Sequence, residues 1–425
     1  MTKTVSAGVG ERMQYLAHKY NDTTIRFILK YPGFLDSVAL CAAAQAVIDS
    51  VDVLHASFIA KSRFAHWRVN AGYEASDYFT LAECDGDPMK PAASLALQPV
   101  EHKAKCQLQV TQINGSDSCA VVVRISHLVV DGSDGKYLLN KLAEAYRLIE
   151  ETGTTESLIL KNGNRSATCA YNELSKKELA SLMKPPNSGV KTEYPFEEPS
   201  AHGIRRMLHC TIPADTLAAA RQKAKSQSAT VNDLLTTACY RSFAKATNRQ
   251  GEISISAMVD LRQHCKDGVS EGLSNMSGGL FTTLDVSEGH RFSDDLRSIA
   301  TQTSAAKADP LAGLEGIPLL HMATKAFPMR ILLQAADVVY SHMSLSLTNL
   351  GSIPCAPLSM GGLTPIKGLF GGPLKRKPSV QVSAASFDGT AELTIVGDFT
   401  SEDLASLQAF LYGMRAEIED YLAEV

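Results

Sequence analysis

The feature that most constrains this chain is a β-rich run from Cys119 to Val130 that ends at Asp131-Gly132 and gives way to a helical repeat. Upstream of it, Lys105 to Ile113 alternates at Leu108 and Val110, and Asn114-Gly115-Ser116-Asp117 supplies turn chemistry, so the two segments predict a hairpin. Downstream, Leu138, Leu142, Ala145, Tyr146 and Ile149 recur every three to four residues, the spacing of one helix face, with Ser133 or Asp134 available as the cap. A hairpin that feeds a helix calls for a layered fold in which helices cover a sheet.

The rest of the chain repeats this mixture. Thr24 to Tyr31 reads as a strand, and Asp36 to Val51 as an amphipathic helix through Val38, Leu40, Cys41, Ala44, Val47, Ile48 and Val51. Between Leu174 and Arg205 the composition turns to Lys, Pro, Glu and Ser, including Lys184-Pro185-Pro186-Asn187-Ser188-Gly189, which is poor material for packed structure. The expected division is therefore a first lobe over 1–175, a linker over 176–204 and a second lobe over 205–425. In the second lobe, strands are predicted at 206–212, 253–259, 345–350, 380–386 and 391–396, with Phe387-Asp388-Gly389 turning between the last two. Helices are predicted at 217–226, after Pro213-Ala214-Asp215, and at 231–247 and 401–421. The fold class is α/β, an α+β sandwich with mostly antiparallel strands. A length of 425 residues suits two such units.

Along the strand expected from Val121 to Val130, Val123, Ile125 and His127 share one face and Val122, Arg124 and Ser126 the other, because side chains alternate. His127 then continues a buried face, where a histidine satisfied inside the core is the plainer reading. Asp131 and Gly132, four and five residues on, let the chain turn sharply and bring a carboxylate near the imidazole.

Ser126-His127-Leu128-Val129-Val130-Asp131-Gly132, with the helix through Leu138, Leu139 and Ala143, resembles the condensation-domain superfamily. That superfamily includes chloramphenicol acetyltransferase, plant-type alcohol acyltransferases and nonribosomal peptide condensation domains. The likeness spans nearly the whole chain: Asp36 to Phe58 looks like the family's amino-terminal pattern, and Ala229-Thr230-Val231-Asn232-Asp233-Leu234-Leu235 and Val259-Asp260-Leu261-Arg262 look like further signatures. Asn349-Leu350-Gly351 resembles a late strand motif of its alcohol acetyltransferase branch.

The resemblance implies two chloramphenicol-acetyltransferase-like lobes in a pseudo-dimer, with donor and acceptor meeting in a central channel. It implies an acyltransferase in which His127 is the general base and removes the proton of an alcohol or amine as that acceptor attacks a thioester. A neutral imidazole suits the task, since its reference pKa of about 6.5 is close to neutral pH. It makes Asp131 structural, paired with Arg262, with Gly132 supporting the site, and it places Asn349 to polarise the thioester carbonyl. An asparagine in a turn after a strand explains Asn349 equally. The donor is expected to be acyl-coenzyme A or a carrier-bound phosphopantetheine thioester, with a small-molecule acceptor and no tightly bound cofactor or metal. Where many condensation domains have two adjacent histidines this chain has Ser126-His127, and no Asp-Phe-Gly-Trp-Gly segment is present. The first departure favours an alcohol acceptor over amide formation; an amide-forming condensation enzyme and a non-catalytic ligand-binding member remain as alternatives.

Other motifs compete. Gly268-Val269-Ser270-Glu271-Gly272 has the Gly-x-Ser-x-Gly spacing of a nucleophile elbow, with His290, His321 and His342 downstream, but the polar Gln263-His264-Cys265-Lys266-Asp267 before it is no buried strand, so a surface loop is preferred. Lys375-Arg376-Lys377 is a candidate contact for the donor's phosphates, although three basic residues beside Gly371-Gly372-Pro373 are also ordinary solvated loop text, the reading preferred here. Gly278-Gly279 and Gly361-Gly362 read as turns.

Composition bounds the partners. With 41 basic and 45 acidic residues and a net charge of -4, the chain has no electrostatic footprint for nucleic acid. Nine scattered cysteines without a Cys-x-x-Cys pair read as reduced thiols. The start lacks a signal-peptide run and no stretch is long and apolar enough to span a bilayer, so a cytoplasmic monomer is the expectation.

Overall fold

The computed structural model describes residues 3–60, 64–185, 189–197, 203–287, 289–339 and 344–424. The central pair of the first large sheet is Thr24–Tyr31 against Cys119–Ser126, antiparallel from Thr24 opposite Ser126 to Tyr31 opposite Cys119. Both faces of this pair are buried, which accounts for the nearly unbroken apolar text of the second strand. One face, with Ile25, Phe27, Val121, Val123 and Ile125, packs in the core that also holds Leu40, Ala43, Ala44 and Val47 of helix Ser37–Asp49 and Leu138, Leu142 and Ala145 of helix Gly132–Thr152. The other face, with Ile28, Ala120 and Val122, meets Ala92, Ala96 and Leu97 of the first lobe and Met207, Leu369, Leu374 and Val396 of the second.

The full order of that sheet is Lys367–Gly371, Thr24–Tyr31, Cys119–Ser126, Leu108–Asn114, Phe79–Glu83. Its first strand is contributed by the second half of the chain, with Lys367 opposite Lys30 and Gly371 opposite Arg26. Phe370 on this crossing strand lies 5.4 Å, centroid to centroid, from Phe27, and a fully buried side chain of this size contributes roughly 1.5–3 kcal/mol. The two lobes are therefore interlocked across residue 205.

The second large sheet runs Ser277–Asp285, Glu252–Asp260, Ser344–Ile353, Ser379–Phe387, Thr390–Phe399, Ile204–Ile212. Helices Ala214–Ser226, Val231–Thr247, Phe292–Ala308 and Ser401–Ala423 supply buried residues to the core beneath it, among them Leu234, Phe243, Leu296, Phe410 and Met414. Two of these helices carry side-chain caps, Thr230 Oγ1 accepting from Asp233 N at 3.3 Å and Thr400 Oγ1 from Asp403 N at 3.1 Å, whereas Ala214–Ser226 starts after Pro213 without a side-chain cap. A third, small sheet joins Thr4–Ser6, His66–Val69 and Ala56–Ile59.

The strands pair mostly antiparallel, as expected, with three parallel pairings: Ser344–Ile353 against both of its neighbours and Phe79–Glu83 against Leu108–Asn114. One expectation is corrected. Gly278-Gly279 is not a turn but part of strand Ser277–Asp285, where a Cβ on Gly278 would stand 2.3 Å from the Gly313 carbonyl oxygen. That close backbone approach, rather than a bend, requires the glycine. Gly361 and Gly362 do form a turn, with φ of 57° and 68°. All nine cysteines are free thiols. Among the described residues no helix is long and apolar enough to cross a membrane.

Candidate active site

The strand carrying the motif ends at Ser126, one residue before His127. His127 therefore does not continue the strand alternation; its backbone N–H leaves the sheet and donates to Thr23 O at 2.7 Å. Thr23 is buried and has φ of 49°, a left-handed conformation that costs a β-branched residue roughly 1–2 kcal/mol. Beyond His127 the chain folds back, with Val129 N bonding Ser126 O at 3.0 Å, and this places the Val130 carbonyl 2.8 Å from His127 Nδ1.

That contact assigns the tautomer. A carbonyl only accepts, so Nδ1 carries the proton and Nε2 the lone pair. Asn275 Nδ2 is 2.8 Å from Nδ1 and 2.9 Å from the His127 carbonyl oxygen. With Nδ1 protonated, the amide donates to the carbonyl and braces the ring from the second lobe. Burial holds the imidazole pKa below its ordinary value, opposed by the Val130 bond and Asp131 and reinforced by Lys375. The ring is thus neutral at neutral pH, although the residue keeps part of its surface accessible.

Both carboxylate oxygens of Asp131 are engaged in a buried charge network. Its Oδ1 caps helix Gly132–Thr152 by accepting from Asp134 N at 3.1 Å, and its Oδ2 accepts from Arg262 Nη1 and Met276 N, both at 2.8 Å. The cap is therefore Asp131, not Ser133 or Asp134. Asp134 turns inward instead, accepting from Arg262 Nη2 and Ser274 N, both at 2.8 Å, and from Lys161 at 3.3 Å. Arg262 completes its fork with Asp260 Oδ1 at 3.0 Å, Ser270 Oγ at 3.2 Å and Ser274 O at 3.2 Å. Burial works against the guanidinium charge, but Asp131, Asp134 and Asp260 outweigh it and raise its pKa. Burial and the Asp131 charge push Asp134 up, with Arg262 opposing. Arg165, paired with Glu11, donates to Val129 O at 3.1 Å and supports the loop from below.

The other candidates are placed as follows. Gly132 begins its helix against the second lobe: a Cβ there would lie 2.2 Å from Leu350 Cδ2, so the glycine serves lobe contact more than chain reversal. Asn349 lies within strand Ser344–Ile353 at a register slip, and its Oδ1 accepts from Gly351 N at 2.9 Å. It is not a residue in a turn after a strand. Its neighbour Leu350 receives Lys136 Nζ on its carbonyl at 2.6 Å. The basic triplet divides: Arg376 and Lys377 are exposed, while Lys375 is largely shielded and near enough to act electrostatically on His127.

Ser270 is no surface serine. It is buried, and its Oγ donates to Gly272 O at 3.0 Å while accepting from Arg262, so it belongs to the charge network. His321 bonds Tyr171 and His290 bonds Asp295, so neither stands with Ser270; His342 lies outside the described residues. Asp134, Asn275 and the inward setting of Lys375 escaped the sequence reading. Only Asp134 had a local signal, as an acidic residue in a first helical turn. No group of three or more His, Cys, Asp or Glu that could hold a metal occurs among the described residues.

The architecture is the two-lobed α/β fold of chloramphenicol acetyltransferase and the condensation domains. No family model matches the chain, and no curated protein sequence matches it. Solved structures do. The first condensation domain of the CDA synthetase aligns with a TM-score of 0.70 at 14% identity, over 100% of this chain and 98% of its own. The trichothecene 15-O-acetyltransferase of Fusarium sporotrichioides aligns at 0.70 and 10% identity, over 97% and 95%. The starter condensation domain of rhizomide synthetase, solved in complex with C8-CoA, aligns at 0.66 and 14% identity, over 99% and 96%.

Proposed function

We propose that this protein is an acyltransferase that moves an acyl group from a thioester to an alcohol or amine, with His127 as general base. The observation that carries the reading is the Val130 carbonyl on Nδ1, which fixes the tautomer with Nε2 as a proton acceptor. As the acceptor oxygen or nitrogen bonds to the thioester carbon, its proton passes to Nε2 and the carbonyl electron pair moves to oxygen. Collapse re-forms the carbonyl and breaks the carbon–sulfur bond, and the departing thiolate recovers the proton from His127. The base ends as it began, and its depressed pKa keeps it ready at neutral pH.

Support for a coenzyme A or carrier-bound donor comes from the neighbours: one is an O-acetyltransferase and another is bound to C8-CoA. Exposed Arg376 and Lys377 are the residues of the basic triplet suited to donor phosphates. Asn349, beside the start of the motif helix, is the candidate contact for the carbonyl. We favour an alcohol acceptor; amide-forming condensation would use the same base. The braced ring weighs against a binding-only role.

The test is thiol release from acetyl- and octanoyl-coenzyme A and from acyl-carrier donors, with and without a panel of alcohols and amines. Acceptor-dependent release is expected. Release that ignores the acceptor would make the protein a thioesterase, and no release from any donor would remove the transferase reading.

A further inference from the structure

The backbone of Lys375 is tied to the segment that receives the His127 N–H. Its backbone bridges Asn21 on one side and Gly397 on the other, and its N–H donates to Val396 O at 3.1 Å. The residues around it are pinned to the segment that leads to Thr23: Leu374 N donates to Asp22 Oδ1 at 2.9 Å, and Arg376 N to Tyr20 O at 2.9 Å. Thr23 in turn accepts the His127 N–H. The lysine thus leaves the backbone close to the point where His127 leaves its sheet, and its charge lowers the imidazole's affinity for a proton.

Among the described residues its ammonium has no hydrogen bond and no ion pair. Asp22, the carboxylate whose field it feels, already serves the guanidinium of Arg26 and the backbone of Leu374 and Thr24. Burial pushes the Lys375 pKa down to about 8, which still leaves it mostly charged at neutral pH. A part-buried cation without a partner is uncommon, and one close to a base is counterproductive, because it opposes the positive charge the imidazole gains in taking a proton. An anion placed beside both would remove that conflict. The phosphates of coenzyme A are a pantetheine arm away from the thioester, which disqualifies them as that anion.

We propose that Lys375 is the anion-binding group of the reaction centre, pairing with a negatively charged substrate oxygen beside His127. That oxygen is either a carboxylate carried by the acyl acceptor or the carbonyl oxygen as it gains charge under attack. The inference rests on the reading of His127 as the base.

The experiment compares wild type, K375M and K375R as full-length chains in three measurements. The first is the His127 titration, followed by NMR of histidine-labelled protein and assigned with H127A; the charges acting on the ring are Asp131 and Lys375. K375M should raise the imidazole pKa, and an unmoved titration overturns the proposal whatever the substrate. The second is steady-state kinetics with hydroxy acids and their methyl esters as acceptors. A carboxylate partner predicts that K375M raises KM at least tenfold for the acids and leaves the esters alone. A transient oxyanion predicts instead a fall in kcat of about 10²–10³ on every acceptor with KM retained, partly restored in K375R. Kinetics within twofold of wild type on both acceptor kinds overturn the proposal. The third is the melting temperature, which K375M should leave unchanged or raise; a marked fall would make Lys375 structural and defeat the idea. Acyl transfer that needs His127 but ignores Lys375 defeats this inference alone, whereas transfer indifferent to H127A defeats the base reading beneath it.

Discussion

Arg262→Ala is the perturbation whose consequence the structure defines most fully. The substitution removes the guanidinium that, alone among the described residues, pairs with Asp131 and Asp134, whose side chains are 3% and 1% exposed. Removing one partner of a buried ion pair costs about 3–5 kcal/mol, mostly because the remaining charge is left without compensation. Two carboxylates are affected here, but neither is left bare. Asp131 keeps Met276 N and Asp134 N, and Asp134 keeps Ser274 N and Lys161. The loss should therefore stay within that range instead of doubling. For a chain of 425 residues, an unfolding entropy of about 2.1 cal/mol/K per residue gives roughly 1 °C per kcal/mol, so the melting temperature should fall by about 3–6 °C. Differential scanning fluorimetry at pH 7.5 reads this directly. The penalty comes from unpaired carboxylates that prefer to be protonated when buried, so the deficit should be largest at high pH and shrink toward pH 5. A triple variant, R262M with D131N and D134N, neutralises the three most buried charges of the network, leaving the more exposed Asp260 and Lys161, and should recover most of the lost stability. A single variant melting within about 2 °C of wild type, or a triple variant no better than the single one, would refute the view of Arg262 as the hub of this network.

Three further expectations are open to measurement. Asn275→Ala removes the brace on the His127 carbonyl, so kcat should fall about 10- to 100-fold with KM little changed, as expected for a base that loses its alignment; equal losses in both would point to a binding role. Because the base works as neutral imidazole, activity is present above its pKa and lost below it. Burial lowers that pKa from 6.5, so the acid limb of kcat/KM should lie below pH 6.5, and a limb above 7 would contradict the buried setting. Gly132→Ala pushes a methyl group against Leu350 and should cost about 1–3 kcal/mol, a loss that Leu350→Ala in the same chain relieves if the contact is the cause.

The parts of the site legible in the sequence were those written within one stretch or carried by a resemblance. His127, Asp131 and Gly132 stand in one motif, and Arg262 stands out through its own signature, so the pairing of Asp131 with Arg262, seen at 2.8 Å, is what the resemblance implies. The helix Val231–Thr247 and the strand Thr24–Tyr31 were predicted at their observed bounds, because apolar spacing and caps are local properties. Elements decided by distant contacts were not legible. Strand Ser277–Asp285 opens on small and polar residues and forms by pairing with Glu252–Asp260. Lys367–Gly371 pairs with Thr24–Tyr31, more than 300 residues earlier in the chain and far outside the window in which apolar spacing carries information. Asn275 meets His127 from across 148 positions, and Lys375 reads as loop text until its neighbours Asn21 and Gly397 are brought beside it. Even the motif strand was read too long, since Leu128-Val129-Val130 is as apolar as a strand yet forms the return that turns the Val130 carbonyl onto the ring.

The central claim is that His127 takes the proton of the acyl acceptor. It is tested most directly by thiol release from an acyl thioester under single-turnover conditions, with wild type and His127→Ala side by side at pH 7.5. Substitution of the ring should leave the melting temperature near that of wild type and slow acyl transfer by about 10²–10⁴, the usual contribution of a positioned general base. Transfer in His127→Ala within about threefold of wild type would contradict the account, because such a difference is far below what removing the base should cost.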